Sequence, residues 1–366
     1  MANKPVNLSR KVAVVGATGM VGQRFVSLLA GHPWFQVTAL AASPRSAGMP
    51  YAEAVSGRWA FDWPIPPKIS NMQVLDASKV DQVAGEADFV FCAVDMPKDD
   101  IRKLEDAYAR SETPVISNNS AHRLTPDVPM MIPEINPEHA EVIEAQRARL
   151  GTRTGFVAVK PNCSIQSYVP PLHALRDFRP VRMAVSTYQS ISGAGKTFAS
   201  WPEMVDNVIP YIGGEEEKSE GEPLKIWGTV RDGKIELASE PVISAHCVRV
   251  AVADGHMATV SVAFAQKPSP EQILEAWRDF TALPQQLSLP SAPRQFLRYF
   301  DEPNRPQTRL DRDLERGMGI ALGRLREDPL FDYRFVGLSH NTLRGAAGGA
   351  VLIAELLCAQ GYVPRK

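Results

Sequence analysis

Apolar and polar positions follow two different rhythms along this chain. Up to about residue 160, short apolar runs are separated by segments whose apolar residues recur every three or four positions, the pattern of strands alternating with helices. The run Val12–Val15 ends at Gly16, and Val21, Phe25, Val26, Leu28 and Leu29 then form a helical stripe. Phe35–Ala42 predicts a second strand, and Phe89–Val94 another that ends in Asp95-Met96-Pro97. A charged amphipathic helix follows from Lys98 to about Arg110, then a strand over Pro114–Ser117 ending in Asn118-Asn119-Ser120. This order predicts a Rossmann-like, doubly wound parallel sheet whose ligand sits at the polar strand ends. The Trp-, Phe- and Pro-rich stretch from Ala60 to Pro67 fits an irregular surface excursion.

After Cys163 the rhythm changes. Arg182–Tyr188 and the long run Pro241–Phe264 have strand composition without a helix between each pair. That predicts a second, α+β domain with a mixed or antiparallel sheet. Gly345–Ala350 opens a small-residue helix running through Leu357, which is expected to pack back on the first domain.

Composition narrows the class. With 366 residues, 44% hydrophobic and 22% charged, the chain is an ordinary globular protein long enough for two domains. A formal net charge of −1 gives no reason to expect nucleic acid or an anionic membrane as partner. The N-terminus shows no charged-then-apolar leader and no apolar run is long enough to span a bilayer, so a cytoplasmic protein is expected. Cys92, Cys163, Cys247 and Cys358 are scattered, which fits free thiols in a reducing compartment. The histidines form no metal-binding cluster, and no metal is expected.

The spacing Gly16, Gly19, Gly22 directly after a strand marks a dinucleotide loop: Gly16 lets the chain turn, and Gly19 lets the backbone approach a pyrophosphate at the helix N-terminus. An NAD site would place an acid at the end of the next strand. Here that strand ends in Ser43-Pro44-Arg45-Ser46. A guanidinium and two hydroxyls suit a 2′-phosphate, so NADP is the expected cofactor; the bland alternative is a Ser/Pro turn with a solvated Arg.

Three further places carry potential chemistry. Cys163, in Lys160-Pro161-Asn162-Cys163-Ser164, follows an apolar strand, and a helix beginning there would lower its pKa; the alternative is a buried structural thiol. Pro170-Pro171 must break or restart that helix. In a strand over 247–251, Cys247, Arg249 and Ala251 share one face, and an Arg there suits a substrate carboxylate, with His256 aimed into the same cleft after Gly255. The alternative is a surface Arg and a loop His. Gln189–Gly195 ends a strand in a glycine-bounded turn, and the acidic run Gly213–Glu220 reads as a solvated face in which Lys218 is a cation able to hold a phosphate.

Together these segments resemble the aspartate-semialdehyde dehydrogenase family in its archaeal and fungal style. The likeness spans nearly the whole chain: GATGMVGQRFVSLL (16–29), ALAASPRSAG (39–48), DVPMMIPEINPEH (127–139), PNCS (161–164), STYQSISGAG (186–195), DNVIPYIGGEEEK (206–218), CVRVAVADGH (247–256), RPQTRLDRD (305–313) and SHNTLRGAAGGA (339–350). Ser164-Ile165-Gln166 reads more like the bacterial branch. The resemblance implies Cys163 as nucleophile, His256 as acid/base and Gln189 orienting the intermediate. It implies Arg249 on the substrate α-carboxylate, Glu215 on its amino group, Asn162 as a further substrate contact, and Lys218 and Arg123 on phosphate. For the cofactor it implies Gly16, Thr18, Gly19, Met20, Val21, Ser43, Arg45, Ser46, Ser192, Gly193 and Asn341.

The implied reaction is NADP-dependent interconversion of L-aspartate 4-semialdehyde plus phosphate with L-4-aspartyl phosphate through a cysteine thioester, in lysine, threonine and methionine biosynthesis. The implied architecture is an NADP-binding domain over 1–160 joined by 341–366, and a catalytic and dimerisation domain over 161–340, in a homodimer or homotetramer. Two alternatives stay open: a related acyl-reducing enzyme, of malonyl-CoA reductase or N-acetylglutamyl-phosphate reductase type, and a non-catalytic NADP-binding regulator indifferent to Cys163.

Overall fold

The computed structural model describes residues 9–366; the reading of the N-terminus as leaderless falls on residues 1–8 and lies outside them. Six strands make a parallel sheet: β1 (Arg10–Val15), β2 (Phe35–Ala42), β3 (Val74–Asp76), β4 (Phe89–Cys92), β5 (Val115–Ser117) and β6 (Val157–Val159). Their order is β3-β2-β1-β4-β5-β6. The winding reverses between β1 and β4, and the crevice at such a reversal is where an open α/β sheet receives a nucleotide. In β1 every residue except Lys11 is buried, as in a strand covered on both faces. Helix α1 (Met20–Leu29) starts just after the β1 turn, and α2 (Lys98–Arg110) carries the chain from β4 to β5. The strand expected over 89–94 stops at Cys92, where the backbone of Ala93 and Val94 passes against Gly16.

The second sheet is mixed, as the pattern predicted. It contains β7 (Pro180–Gln189), β8 (Val208–Ile209), β11 (Val242–Val250), β12 (His256–Phe264), β13 (Leu297–Phe300), β14 (Ile320–Glu327) and β15 (Tyr333–Ser339), in the order β13-β14-β15-β12-β7-β11-β8. A small separate hairpin joins β9 (Thr229–Arg231) to β10 (Lys234–Glu236). β11 runs parallel to β7 and β13 to β14, and the other pairs are antiparallel. Burial alternates along β7 and β12, so Met183, Val185, Thr187 and Gln189 share the inner face with His256, Ala258, Val260 and Val262. Helix α3 (Glu215–Ile226) packs on that side, against β11. The opposite face leaves Ser186, Tyr188, His246 and Thr259 at least partly open to solvent.

Four local expectations need correction. The acidic run is no solvated face: it opens α3, which buries Glu215, Ser219 and Glu222 along one side. Ala251 lies past the end of β11 and is exposed, so the shared face ends with Arg249. No α-helix starts at Cys163; Ser164–Ser167 is a 3₁₀ turn, and a new helix over Val169–His173 takes Pro170 and Pro171 in its first turn, where their missing N–H groups cost nothing. The glycine-rich helix begins later than Gly345. Leu343–Ala347 is a wide turn broken at Ala346 (φ −141°, ψ −107°), because this segment is drawn against Cys163. Helix α4 (Gly348–Ala359) follows, and its apolar residues share a core with Val12, Val14, Phe89 and Phe91 of the parallel sheet. No helix among the described residues is long and apolar enough to cross a membrane.

Candidate active site

The chain after β6 brings Cys163 to the start of β12, where its Sγ stands 3.3 Å from His256 Nε2. His256 is fully buried. Its Nδ1 accepts the Ser190 backbone N–H at 3.1 Å, which places the ring hydrogen on Nε2, facing the sulfur. Ser190 Oγ lies 3.2 Å from the same Nδ1 and serves as acceptor for the other tautomer. Burial, with the Arg249 cation nearby, depresses the His256 pKa to about 3, so the imidazole is neutral near pH 7. Burial and the Glu215 charge push the Cys163 thiol up, against the opposing pull of Lys160, Arg123 and Arg249. The expected helix-dipole activation of the thiol is therefore corrected: the turn after Cys163 is too short, and desolvation dominates. Gly193 seals this corner. A Cβ there would stand 2.9 Å from Arg249 Nη1 and 3.0 Å from the His256 ring.

Strand register sets the next residues. Arg249 on β11 pairs with Gln189 on β7, and both point inward. Arg249 Nη1 donates to the Ser190 carbonyl at 2.7 Å, while the buried guanidinium faces the sulfur and Glu215. Glu215 accepts from Lys218 Nζ at 2.6 Å, from Asn162 Nδ2 at 3.0 Å and from Gln189 Nε2 at 3.2 Å. Burial alone would raise this carboxyl, but Lys218 and the amide donors outweigh it, and Glu215 stays ionised below the usual range. Asn162 turns its other side inward, its Oδ1 accepting from Ser164 N–H and Oγ–H. Cys163, His256, Gln189, Arg249, Glu215, Asn162 and Lys218 thus come together from β7, β11, β12, α3 and the loop after β6.

Arg123 is present but committed. Its Nη1 pairs with Glu222 Oε1 at 2.9 Å, Nη2 donates to the Asn118 carbonyl at 3.1 Å, and Nε to the Lys160 carbonyl at 3.0 Å. Glu222 Oε2 also accepts the Asn162 backbone N–H at 2.6 Å. Sequence reasoning missed Glu222, Lys160 and Ser190. Glu222 had a signal: with Glu215 and Ser219 it recurs at helical spacing. Lys160, 2% exposed beneath the nucleophile loop, is held by burial at a pKa of about 7. The bacterial-looking Gln166 has a structural partner, since its Oε1 accepts from Arg344 Nε at 3.1 Å, and Arg344 makes a fully buried two-pronged pair with Glu134 at 2.7 and 2.6 Å.

At the other end, Gly16 adopts φ +89°, with the Ala93 carbonyl only 2.3 Å from where a Cβ would be. Gly19 is the N-cap of α1, and no side chain caps the helix. The N–H groups of the first turn, at Met20 and Val21 beside Thr18, are therefore available to an anion. The Ser43–Ser46 turn leaves β2 with Arg45 exposed and Ser46 buried. Arg58, a second cation that the sequence pattern did not flag, reaches Ser46 Oγ at 3.5 Å. Asn341 links the two ends, donating from Nδ2 to Ser192 Oγ and accepting the Gly255 N–H at Oδ1, both at 2.8 Å. Among the described residues no cluster of His, Cys, Asp and Glu could hold a metal ion.

Comparison with known proteins places this geometry. Residues 11–143 match the family model described as semialdehyde dehydrogenase, NAD binding domain, and residues 171–344 match semialdehyde dehydrogenase, dimerisation domain. The aspartate-semialdehyde dehydrogenase of Aspergillus fumigatus is 41% identical over 372 residues, covering 99% of this chain and 100% of the relative. That of Methanothermobacter thermautotrophicus is 44% identical over 349 residues, covering 94% and 98%. The crystal structure of aspartate semialdehyde dehydrogenase with NADP from Candida albicans superposes with a TM-score of 0.87 at 37% identity, covering 97% of this chain and 100% of that one. The fungal and archaeal likeness seen in the motifs extends along the full length, and the chain belongs to the aspartate-semialdehyde dehydrogenase family.

Proposed function

We propose that this chain interconverts L-aspartate 4-semialdehyde plus phosphate with L-4-aspartyl phosphate, using NADP, as a step of amino-acid biosynthesis. The observation that carries the reading is the 3.3 Å contact between Cys163 Sγ and His256 Nε2, flanked by Arg249 and Glu215. A nucleophile and a proton carrier thus sit beside a guanidinium and a carboxylate, which suits an α-amino acid.

Thr18, Gly19, Met20 and Val21, on the turn set by Gly16, would hold the pyrophosphate of the dinucleotide. Ser43, Arg45 and Ser46 would hold its 2′-phosphate, and Ser192, Gly193 and Asn341 its nicotinamide end. The uncapped start of α1 and the absence of an acid at the end of β2 support that fit. When bound, the cofactor supplies the acceptor or donor of the hydride.

The residues of the chain do the rest. In the oxidative direction His256, turned to the Nδ1–H tautomer, takes the thiol proton at Nε2 and returns it to the carbonyl oxygen as the C–S bond forms, giving a thiohemiacetal. Each protonation needs Nδ1–H, for which Ser190 Oγ is the acceptor at 3.2 Å. His256 takes the oxygen's proton again as the carbon is oxidised, leaving a thioester on Cys163. Phosphate, held by Lys218 and Arg123, then attacks the acyl carbon; the C–S bond breaks and His256 returns the proton to sulfur. The thioester conserves the oxidation energy that hydrolysis would dissipate. Gln189 and Asn162 keep Glu215 and the acyl group oriented.

The same reading divides the chain into an NADP-binding unit, 1–160 with 341–366, and a catalytic and dimerisation unit, 161–340. The part-open face of the seven-stranded sheet supports a homodimer or homotetramer formed there, and four free cysteines suit a cytoplasmic location. Assay of the purified protein with aspartate semialdehyde, phosphate and NADP, in parallel with malonyl-CoA and N-acetylglutamyl phosphate, tests the function. Turnover of the semialdehyde is expected to dominate; a preference for either alternative substrate overturns the assignment.

A further inference from the structure

The aromatic excursion after α1 encloses a guanidinium that the reaction above does not use. Arg24, on the second turn of α1, is 9% exposed, and its Nε has no hydrogen-bond partner among the described residues. Its Cζ lies 4.1 Å from the ring centre of Phe61 and 5.4 Å from that of Trp63. Those two rings stack 4.7 Å apart at 3°. Trp63 is itself fixed, its Nε1 donating to Ser27 Oγ at 3.2 Å and its carbonyl accepting from Trp59 Nε1 at 2.7 Å. The cation is therefore held in place by carbon, and its hydrogen-bonding edge is left for something else.

That edge lines a cavity of about 450 Å³ between α1 and the loops of the second sheet. Asp62, Asp254 and Asp313 stand among its other walls, together with Lys196 and Arg312; Asp254 and Asp313 lie outside ion-pairing distance of Arg24 but close enough for their charges to be felt there. Asp313 makes only long contacts, 3.7 Å to His340 Nε2 and 3.8 Å to Arg312 Nε. The walls carry both signs: a simple anion on Arg24 would face the carboxylates of Asp254 and Asp313, and a simple cation would face Arg24, Lys196 and Arg312. A small zwitterion satisfies both sides at once. Cys163, Arg249 and Glu215 do not line this cavity; Met20 and Ser192 form its rim toward the dinucleotide loop.

We propose that this cleft binds a free α-amino acid, its carboxylate on Arg24 and its ammonium on Asp254 and Asp313, against the wall made by Phe61 and Trp63. The site lies beside the catalytic pocket and meets the proposed dinucleotide path only at its rim, at Met20 and Ser192. The bidentate geometry of Arg24 suits a carboxylate, and the aromatic wall suits the apolar part of a side chain.

Isothermal titration calorimetry with a panel of free L-amino acids tests it, on the whole protein with and without saturating NADP. At least one amino acid is expected to bind saturably under both conditions. Its affinity should fall by about tenfold or more in Arg24→Met and in Asp313→Asn, the loss expected when one charged hydrogen-bond partner is removed. Turnover of aspartate semialdehyde should persist in Asp313→Asn, whose substitution is at an exposed position and keeps the fold intact if Arg24→Met does not. Binding that survives both substitutions belongs to the catalytic pocket, and binding abolished by NADP belongs to the cofactor path. Either result, or no binding by any member of the panel, overturns the proposal.

Discussion

Glu222 couples Arg123 to the nucleophile loop: one carboxylate oxygen pairs with Arg123 Nη1 at 2.9 Å, and the other accepts the backbone N–H of Asn162 at 2.6 Å. Asn162 is the residue before Cys163, so one buried acid sets both the sulfur's backbone and the guanidinium proposed to hold phosphate. Glu222→Gln keeps the shape and removes the charge. The phosphate KM is expected to rise more than kcat falls. Stability should drop by about 1–3 kcal/mol, because Arg123 is left without its ionic partner. Steady-state kinetics with phosphate varied, together with denaturant melts, check this; unchanged phosphate KM would separate Arg123 from phosphate binding.

In the proposed mechanism Cys163 makes the covalent bond and holds no part of the dinucleotide. Cys163→Ala should abolish turnover and leave NADP affinity nearly intact, and Cys163→Ser should leave at most a trace. Because the free thiol is pushed up, its alkylation by iodoacetamide should keep accelerating with pH beyond the range of an ordinary cysteine. Substantial activity in the alanine enzyme would remove the thioester from the mechanism.

Much of this arrangement was legible in the chain, and the parts that were not share a physical reason. Periodicity placed β2 over Phe35–Ala42 and put Cys247 and Arg249 on one face, because side-chain alternation is a local property of a strand. It gave the wrong start for the helix after Gly345, since a wide turn pressed against Cys163 is imposed by tertiary contact. The activation assigned to Cys163 failed for the same reason. A helix dipole can be guessed from sequence, whereas desolvation depends on what folds over the sulfur. Glu222, Lys160 and Ser190 matter through partners up to 99 residues away, a distance at which no local pattern speaks.

In the proposed reading, cofactor choice rests on a short turn. Arg45→Ala should weaken NADP binding by about 1.5–3 kcal/mol, the range for a charge-assisted hydrogen bond, with little effect on NAD. Arg58, which reaches Ser46 Oγ at 3.5 Å, is placed to retain part of the preference, so the double variant should lose more. Equilibrium binding of both dinucleotides measures this. Equal loss of NAD and NADP would move the 2′-phosphate elsewhere.

Acid should destabilise the protein well before its carboxylates titrate. Burial lowers His139, His173 and His340 to about 4 and His256 to about 3. The unfolded chain takes up protons near pH 6.5 and the folded one does not, so stability is fully present above that pH and declines as pH falls toward 4. Each such group contributes a slope of up to about 1.4 kcal/mol per pH unit in that window. Thermal melts between pH 8 and pH 5, using His173→Leu as a control with one group fewer, should show a steep loss and a shallower one in the variant. A flat profile would mean that these rings are charged or solvated in the folded protein.

The sharpest test concerns the grip on the substrate. Arg249 is held on the inner face of β11 with Nη1 on the Ser190 carbonyl at 2.7 Å, which orients the rest of the guanidinium toward the sulfur's pocket. A planar fork so fixed suits a two-point pair with an α-carboxylate, and a lysine ammonium cannot reproduce it. Arg249→Lys should therefore depress kcat/KM for aspartate semialdehyde by about 2–4 kcal/mol, the range for a charged partner lost in a desolvated site. Alkylation of Cys163 by a small neutral reagent reports on the sulfur alone and should change far less. It also guards against a collapsed pocket, in which both rates would fall together. If Arg249→Lys retains near-normal kinetics with the semialdehyde, the carboxylate is held by another group or the true substrate lacks one. A thioester substrate without an amino-acid head would then fit the same nucleophile and proton carrier better.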